Sequence, residues 1–299
     1  MTDILRAGVI GAGVFGGYHA DKYAAMAGVE LVGAYDHHLV HAESLAARVG
    51  GRAFADEAEL IAAVDIVSIA TPASAHVAPA LAALKAGRAV YVEKPIATDL
   101  EDADAIVAEA HRRGLVAACG FLERAGFAAM GLFGIPERPL LLEAARVGPP
   151  SPRNLDVSVV LDLMIHDLDL ALALSPAQPL TVEGEGGPDD ATAEASFDDG
   201  FFCRFHASRV AARRERTMRL VFPSGEVRVN FLTHAFENTT PFALDPAFEE
   251  TAAYKDRLAA SLAAFIAAVR GQAPAPLASA ADGARALDLA LAVEQALGQ

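Results

Sequence analysis

The stretch Val9-Ile10-Gly11-Ala12-Gly13-Val14-Phe15-Gly16-Gly17-Tyr18-His19 constrains this chain more than any other. Leu5 to Ile10 is a short apolar run that reads as a strand. Gly11, Gly13 and Gly16 stand at G-x-G-x-x-G spacing, and Tyr18 to Ala27 has helical composition. The first glycine permits a tight strand-to-helix turn and the second lets backbone approach a pyrophosphate. The third lets the helix pack on the strand while the N–H groups at its start face the anion. Val14 and Phe15 belong to the same cradle. A second apolar run, Glu30 to Tyr35, ends in Asp36, roughly 20 residues past the glycines, where a dinucleotide fold places the acid that accepts ribose hydroxyls. A carboxylate there repels a 2′-phosphate, and the following His37 and His38 are not the arginine that NADP would want. The expected cofactor is NAD rather than NADP.

The rest of the first half repeats this alternation. Strands are expected at Leu5–Ile10, Glu30–Tyr35, Ile66–Ala70, Ala89–Val92 and Val116–Gly120. Helices are expected at Tyr18–Ala27, His41–Val49, Asp56–Ala63, Ala75–Ala86 and Leu100–Arg113. Right-handed crossovers then give a Rossmann-type, doubly wound parallel sheet over residues 1–121. After Gly120 the pattern changes. Proline-punctuated loops precede a long apolar run from Leu155 to Leu174, whose later part reads as a helix. Hairpin turns at Asp198-Asp199-Gly200 and Pro223-Ser224-Gly225 join the runs Ala193–Phe197, Phe201–Ala207, Met218–Phe222 and Glu226–Phe231. A second α+β domain, 122–299, built on an open and mainly antiparallel sheet, is the expectation. Thr251–Arg270 and Ala280–Leu297 are its closing helices, expected to pack back towards the first domain.

Composition removes several function classes. The net charge of −15 over 299 residues argues against nucleic acid or an anionic membrane as partner, since both demand a positive surface. The apolar stretch Val67 to Leu84 is broken by polar residues and prolines, so no membrane span is expected. The glycine turn follows Arg6 without a signal-like apolar region, and a cytoplasmic location is expected. Cys119 and Cys203 lack metal-ligand spacing and read as two buried thiols.

Two constellations carry chemistry. Ala70-Thr71-Pro72 with His76, and Glu93-Lys94-Pro95, fall at expected carboxyl ends of parallel strands, where open α/β sheets bind ligands. Lys94 is placed to hold a ribose or a substrate hydroxyl; a solvated lysine paired with Glu93 is the equal alternative. Further on, Asp162 and His166 are four apart and share a helix face, so a carboxylate can orient an imidazole base. A satisfied, partly buried His and Asp is the bland alternative, and no metal site is expected.

Taken together, Gly11-x-Gly13-x-x-Gly16, Glu93-Lys94-Pro95 and Asp162-x-x-x-His166 resemble the glucose–fructose oxidoreductase, inositol dehydrogenase and MocA family over essentially the whole chain. The resemblance implies that the glycines and Asp36 hold a nicotinamide cofactor, Lys94 contacts substrate, Asp162 binds a sugar hydroxyl or supports the base, and His166 moves the proton. It also implies that the open sheet covers the substrate and forms homodimer or homotetramer contacts. Gly120-Phe121-Leu122-Glu123-Arg124, with Arg146 to Arg153 and Asp156 to Asp167, is similar to the branch containing UDP-N-acetylglucosamine 3-dehydrogenases. That branch implies oxidation of the C3 hydroxyl of a nucleotide sugar. Glu123, Arg124 and Arg153 are the added substrate candidates, the two arginines for a diphosphate. The arginines from Arg209 to Arg219 either meet that diphosphate or face solvent or a neighbouring subunit, and the second is the expectation. A free-sugar or inositol dehydrogenase, a glycoside-cleaving enzyme that uses NAD transiently, and a non-catalytic NAD sensor are the rivals on the same scaffold.

Overall fold

The structure is a computed structural model that describes residues 4–150 and 157–298. Along the chain run β1 (Leu5–Ile10), α1 (Val14–Ala25), β2 (Val29–Tyr35), α2 (Leu39–Val49), β3 (Arg52–Phe54), α3 (Glu57–Ala63), β4 (Ile66–Ile69), α4 (Val77–Lys85), β5 (Ala89–Val92), α5 (Leu100–Arg113) and β6 (Ala117–Cys119). Then follow α6 (Glu123–Met130), β7 (Leu141–Val147), α7 (Ile165–Leu174), β8 (Pro179–Gly186), β9 (Asp190–Phe197), β10 (Phe202–Ser208), β11 (Glu215–Phe222), β12 (Gly225–Asn230), β13 (Phe236–Asn238), α8 (Ala252–Lys255), α9 (Arg257–Val269) and α10 (Ala280–Ala296). Two compact units result: residues up to Leu122 with Asp256–Ala284, and Glu123–Lys255 with the residues from Arg285.

The first unit is a six-stranded parallel sheet in the order β3-β2-β1-β4-β5-β6. The order reverses beside β1, where Val9 has Ala34 on one side and Ser68 on the other. Helices cover both faces, so β4 and β5 are buried along their whole length, which is why their sequences are apolar runs. Part of that cover comes from far along the chain. Leu258, Leu262, Phe265 and Ile266 of α9 share a core with Ala7, Val9, Tyr23 and Tyr91. Lys22 pairs with Asp256 at 2.6 Å at the start of α9. The helix expected over Thr251–Arg270 breaks here, because Asp256 leaves helical geometry and its side chain caps Ala259 N at 3.0 Å.

The second unit is a seven-stranded sheet, β13-β12-β11-β7-β10-β9-β8, antiparallel throughout except where β7 and β10 run parallel. Alternation sorts its faces. Leu142, Ala195, Phe197, Cys203, Phe205, Met218 and Leu220 are buried. The opposite face carries a charged row in which Arg204 meets Glu194 at 2.7 Å and Arg219 meets Glu143 at 2.9 Å and Glu226 at 2.8 Å. β7 is the strand least visible beforehand. It lies between prolines, and its Glu143 and Arg146 obscure the alternation in which 142, 144 and 146 point inward. The short β3 and β13, together with β8 and α6, were likewise not expected, and α1 begins at Val14 rather than Tyr18.

Cys119 and Cys203 are both buried and free, and burial pushes the Cys203 thiol up. Among the described residues no helix is long and apolar enough to cross a membrane, and no group of three or more His, Cys, Asp or Glu is arranged to hold a metal ion.

Candidate functional site

At the end of β1 the chain turns through Gly11 at φ +92°, where a Cβ would stand 2.7 Å from Ala70 and Thr71 backbone. Gly16 is closed in the same way, because its Cβ would overlap the Gly11 carbonyl oxygen. Gly13 is different: a Cβ there would meet nothing within 4 Å. Gly13 is the N-cap of α1, whose start has no side-chain cap and no acid in its first turn. Val14 and Phe15 at that start are exposed. Open space beside uncapped N–H groups at a helix start is what a pyrophosphate requires, so these residues fit a dinucleotide.

Asp36, at the end of β2, accepts from Ala12 N at 2.8 Å with one oxygen and from His38 N at 2.9 Å with the other, which also lies 3.2 Å from His41 Nδ1. Partial burial pushes its carboxyl upward, but the hydrogen bonds from His38, Ala12 and His41 outweigh that and hold it below the usual carboxylate range. The acid is therefore oriented and ionised beside the glycine turn. Oδ2, with Ala12 N as its one donor here, keeps acceptor capacity for a ribose hydroxyl.

The Thr71–Pro72 turn follows β4, and Glu93-Lys94-Pro95 follows β5. His76, expected among the cofactor contacts, joins the two turns. It is buried, with Nδ1 2.8 Å from the Pro95 carbonyl oxygen and Nε2 2.9 Å from that of Thr71. Burial holds its pKa below the ordinary histidine value, opposed by those two carbonyls. Glu93 points into the protein: its Oε1 lies 2.9 Å from His19 Nε2, and its carboxylate packs where a Cβ on Gly120 would stand. Glu93 thus makes a buried contact with His19, 74 residues away. Lys94 is half-buried, and its peptide bond to Pro95 is cis.

In the second unit, His166 is the second residue of α7, which is entered through a π-helical turn, Val160–Met164, containing the buried Asp162. The simple α-helical spacing expected for this pair is thus changed by the extra residue per turn, a feature frequent at functional sites. The two acids after His166 are clamped. Arg146 holds Asp167 through Nε at 3.1 Å and Nη2 at 2.8 Å, and reaches Glu123 with Nη1 at 3.0 Å. Arg124 holds Asp169 through Nε at 2.9 Å and Nη2 at 2.7 Å. Although burial works against it, Asp167 and Glu123 hold the Arg146 guanidinium above its ordinary value. Glu123 and Arg124, expected to face substrate, are thus committed to a buried ionic frame around the turn that carries His166. The Nε–Nη2 edge of the Arg124 guanidinium, expected to meet a diphosphate, faces the Asp169 carboxylate. Arg153 lies outside the described residues.

Arg146 and Asp167 fall in the segments that carry the branch resemblance, but no role was read for either; the signal was an arginine at an inward position of an alternating strand. A cavity of about 810 Å³ lies on the open face of the sheet, lined by Glu143, Arg204, His206, Arg219 and Arg228 among others, and none of Glu123, Arg124, Asp162 or His166 lines it.

The profile of the Gfo/Idh/MocA oxidoreductases, NAD-binding Rossmann fold, matches residues 5–121. UDP-N-acetylglucosamine 3-dehydrogenase of Acidithiobacillus ferrooxidans is 38% identical over 312 aligned positions, which cover 98% of this chain and 97% of that protein. The chain belongs to the Gfo/Idh/MocA oxidoreductase family. A solved structure described as UDP-N-acetylglucosamine 3-dehydrogenase GnnA from Acidithiobacillus ferrooxidans superposes with a TM-score of 0.90 at 36% identity, covering 98% of this chain and 97% of the other. Inositol 2-dehydrogenase of Rhodococcus erythropolis is 33% identical over 190 residues, 60% of this chain and 55% of that protein. As a Gfo/Idh/MocA member, the protein is an NAD-binding oxidoreductase, in keeping with its glycine cradle and Asp36.

Proposed function

We propose that this Gfo/Idh/MocA member oxidises the C3 hydroxyl of UDP-N-acetylglucosamine, with NAD as oxidant. The observation that carries the assignment is the end-to-end similarity to a dehydrogenase of that name, 38% identity over 98% of this chain and 97% of the other. The inositol dehydrogenase match extends over only 60% of this chain. Gly11, Gly13, Val14, Phe15 and Gly16 hold the pyrophosphate, Asp36 takes the adenosine ribose, and Ala70, Thr71 and Pro72 line the path to the nicotinamide half. When bound, nicotinamide supplies the hydride acceptor.

His166 removes the hydroxyl proton as carbon loses its hydride, and Asp162 orients or polarises it. The role proposed for the Lys94 ammonium is to stabilise the developing alkoxide. A cytoplasmic location belongs to this proposal and is supported by the two free thiols. So does a homodimer or homotetramer formed through the open sheet face, supported by its exposed row of alternating charges.

The test is NADH absorbance after mixing protein and NAD with UDP-N-acetylglucosamine, free aldoses and inositols. A response confined to the nucleotide sugar is the expected result. A response confined to inositols would move the assignment to the polyol branch. No response, with coupled removal of product and with NAD binding measured in the same sample, would refute the dehydrogenase assignment.

A further inference from the structure

Behind the end of β5 lies a buried polar chain that the proposed reaction does not use. Tyr23 OH is 2.7 Å from Ser68 Oγ, Ser68 Oγ is 2.9 Å from His19 Nδ1, and His19 Nε2 is 2.9 Å from Glu93 Oε1. Tyr23, His19 and Ser68 are each 0% exposed and Glu93 is 7% exposed. The three bonds are satisfied when Tyr23 donates to Ser68, Ser68 donates to His19 Nδ1, and His19 donates from Nε2 to an ionised Glu93, which is one of the arrangements the distances allow. The chain then runs in one direction and ends on a carboxylate.

That carboxylate is unusual in its place. Among the described residues of the first unit, Glu93 is the one buried acid. Gly120 leaves it room, since a Cβ there would approach Oε2 to 2.8 Å. Glu93 follows β5 directly, at the carboxyl edge of the sheet where a parallel α/β fold receives its ligand, and it is followed by Lys94. A buried anion is costly unless it is hydrogen-bonded and meets a positive charge. The oxidised nicotinamide ring is cationic and the reduced ring is neutral, while the phosphates and riboses are common to both.

We propose that His19 is a positioning residue that fixes Glu93 as an anion, and that this anion makes the site favour the oxidised over the reduced cofactor. The inference rests on NAD binding at the cradle and is independent of which sugar is oxidised. Because phosphate contacts cancel in the comparison, the ratio of the two dissociation constants isolates the charge at Glu93.

The experiment measures Kd for NADH by its fluorescence and Kd for NAD by competition against NADH, in wild type, Glu93→Gln, His19→Leu and His19→Gln. Glu93→Gln keeps the shape and removes the charge, and raises the NAD-to-NADH Kd ratio about tenfold, the size expected for a partly screened unit charge within the site. His19→Leu shifts the ratio in the same direction. His19→Gln restores it, because the glutamine amide can still donate to Glu93. A ratio unchanged by Glu93→Gln overturns the inference, as does a His19→Gln protein that behaves like His19→Leu. A general packing defect would weaken both forms of cofactor equally and leave the ratio alone, which also counts against it. If His19→Leu does not fold, Ser68→Ala takes its place, since it removes only the hydroxyl that fixes the ring. Failure of the wild-type protein to bind either form would instead overturn the cofactor assignment beneath the inference.

Discussion

Gly13 and Gly16 stand three residues apart in one motif, yet the structure predicts opposite consequences for the same substitution. In Gly16→Ala the new methyl overlaps the Gly11 carbonyl oxygen, which is backbone and cannot turn aside. Overpacking against backbone costs about 3 kcal/mol. At about 2–4 °C per kcal/mol for a domain of this size, Tm falls by about 6–12 °C. In Gly13→Ala the methyl meets nothing within 4 Å, and Gly13 has φ −71°, which alanine adopts without strain. A modest loss at the N-cap is offset by the stiffer unfolded chain, so stability changes by less than about 1 kcal/mol. That methyl, however, stands where the pyrophosphate must approach. Losing one or two charge-assisted bonds weakens NADH binding about 10- to 100-fold. Thermal unfolding by circular dichroism and NADH fluorescence titration on both variants decide the matter. If Gly13→Ala unfolds as early as Gly16→Ala, or binds NADH like the wild type, the open space at Gly13 is not the phosphate site.

Three further outcomes are expected. Folding favours the ionised form of Asp36, because its carboxyl is held below the usual range; that contribution is full above about pH 5 and fades as pH falls through the folded value. Asp36→Asn therefore lowers Tm more at pH 7 than at an acid pH below the folded value, and an equal loss at both would show that the carboxylate's charge is not involved. Arg124→Met leaves Asp169 buried without its bidentate partner and costs about 3–5 kcal/mol, while adding Asp169→Leu recovers most of the loss; denaturant unfolding reads both, and a double variant as unstable as the single one refutes the buried-pair account. His166→Asn lowers kcat by about 10²–10⁴-fold and leaves NADH affinity intact, whereas turnover near the wild-type rate would remove His166 as the base.

The parallel sheet was legible because its strands are buried on both faces and their sequences say so: Ile66–Ile69 and Ala89–Val92 stand as uninterrupted apolar runs. The glycines and Asp36 were legible because the phosphate cradle demands them locally. What stayed hidden was settled by distant partners. His19 lies inside the opening motif, yet nothing near it in sequence announces Ser68 or Glu93, which lie 49 and 74 residues away. Arg124 looked free to meet a phosphate because its partner Asp169 is 45 residues further on. β7 was obscured by Arg146, a charge turned inward, which makes sense only once Asp167 and Glu123 are seen around it.

The contribution of α9 to the nucleotide-binding core has a consequence in time. Phe265 packs edge-on against Tyr91, and Ser261 bonds the Tyr91 hydroxyl at 2.9 Å. A growing chain that has emerged only as far as Leu122 holds all six parallel strands but still exposes the surface that Leu258, Leu262 and Phe265 cover. The first unit to begin folding on the ribosome is therefore completed only after most of the second has been synthesised. A fragment ending near residue 122 should be sticky and poorly soluble, and adding residues 256–284 in trans should rescue it.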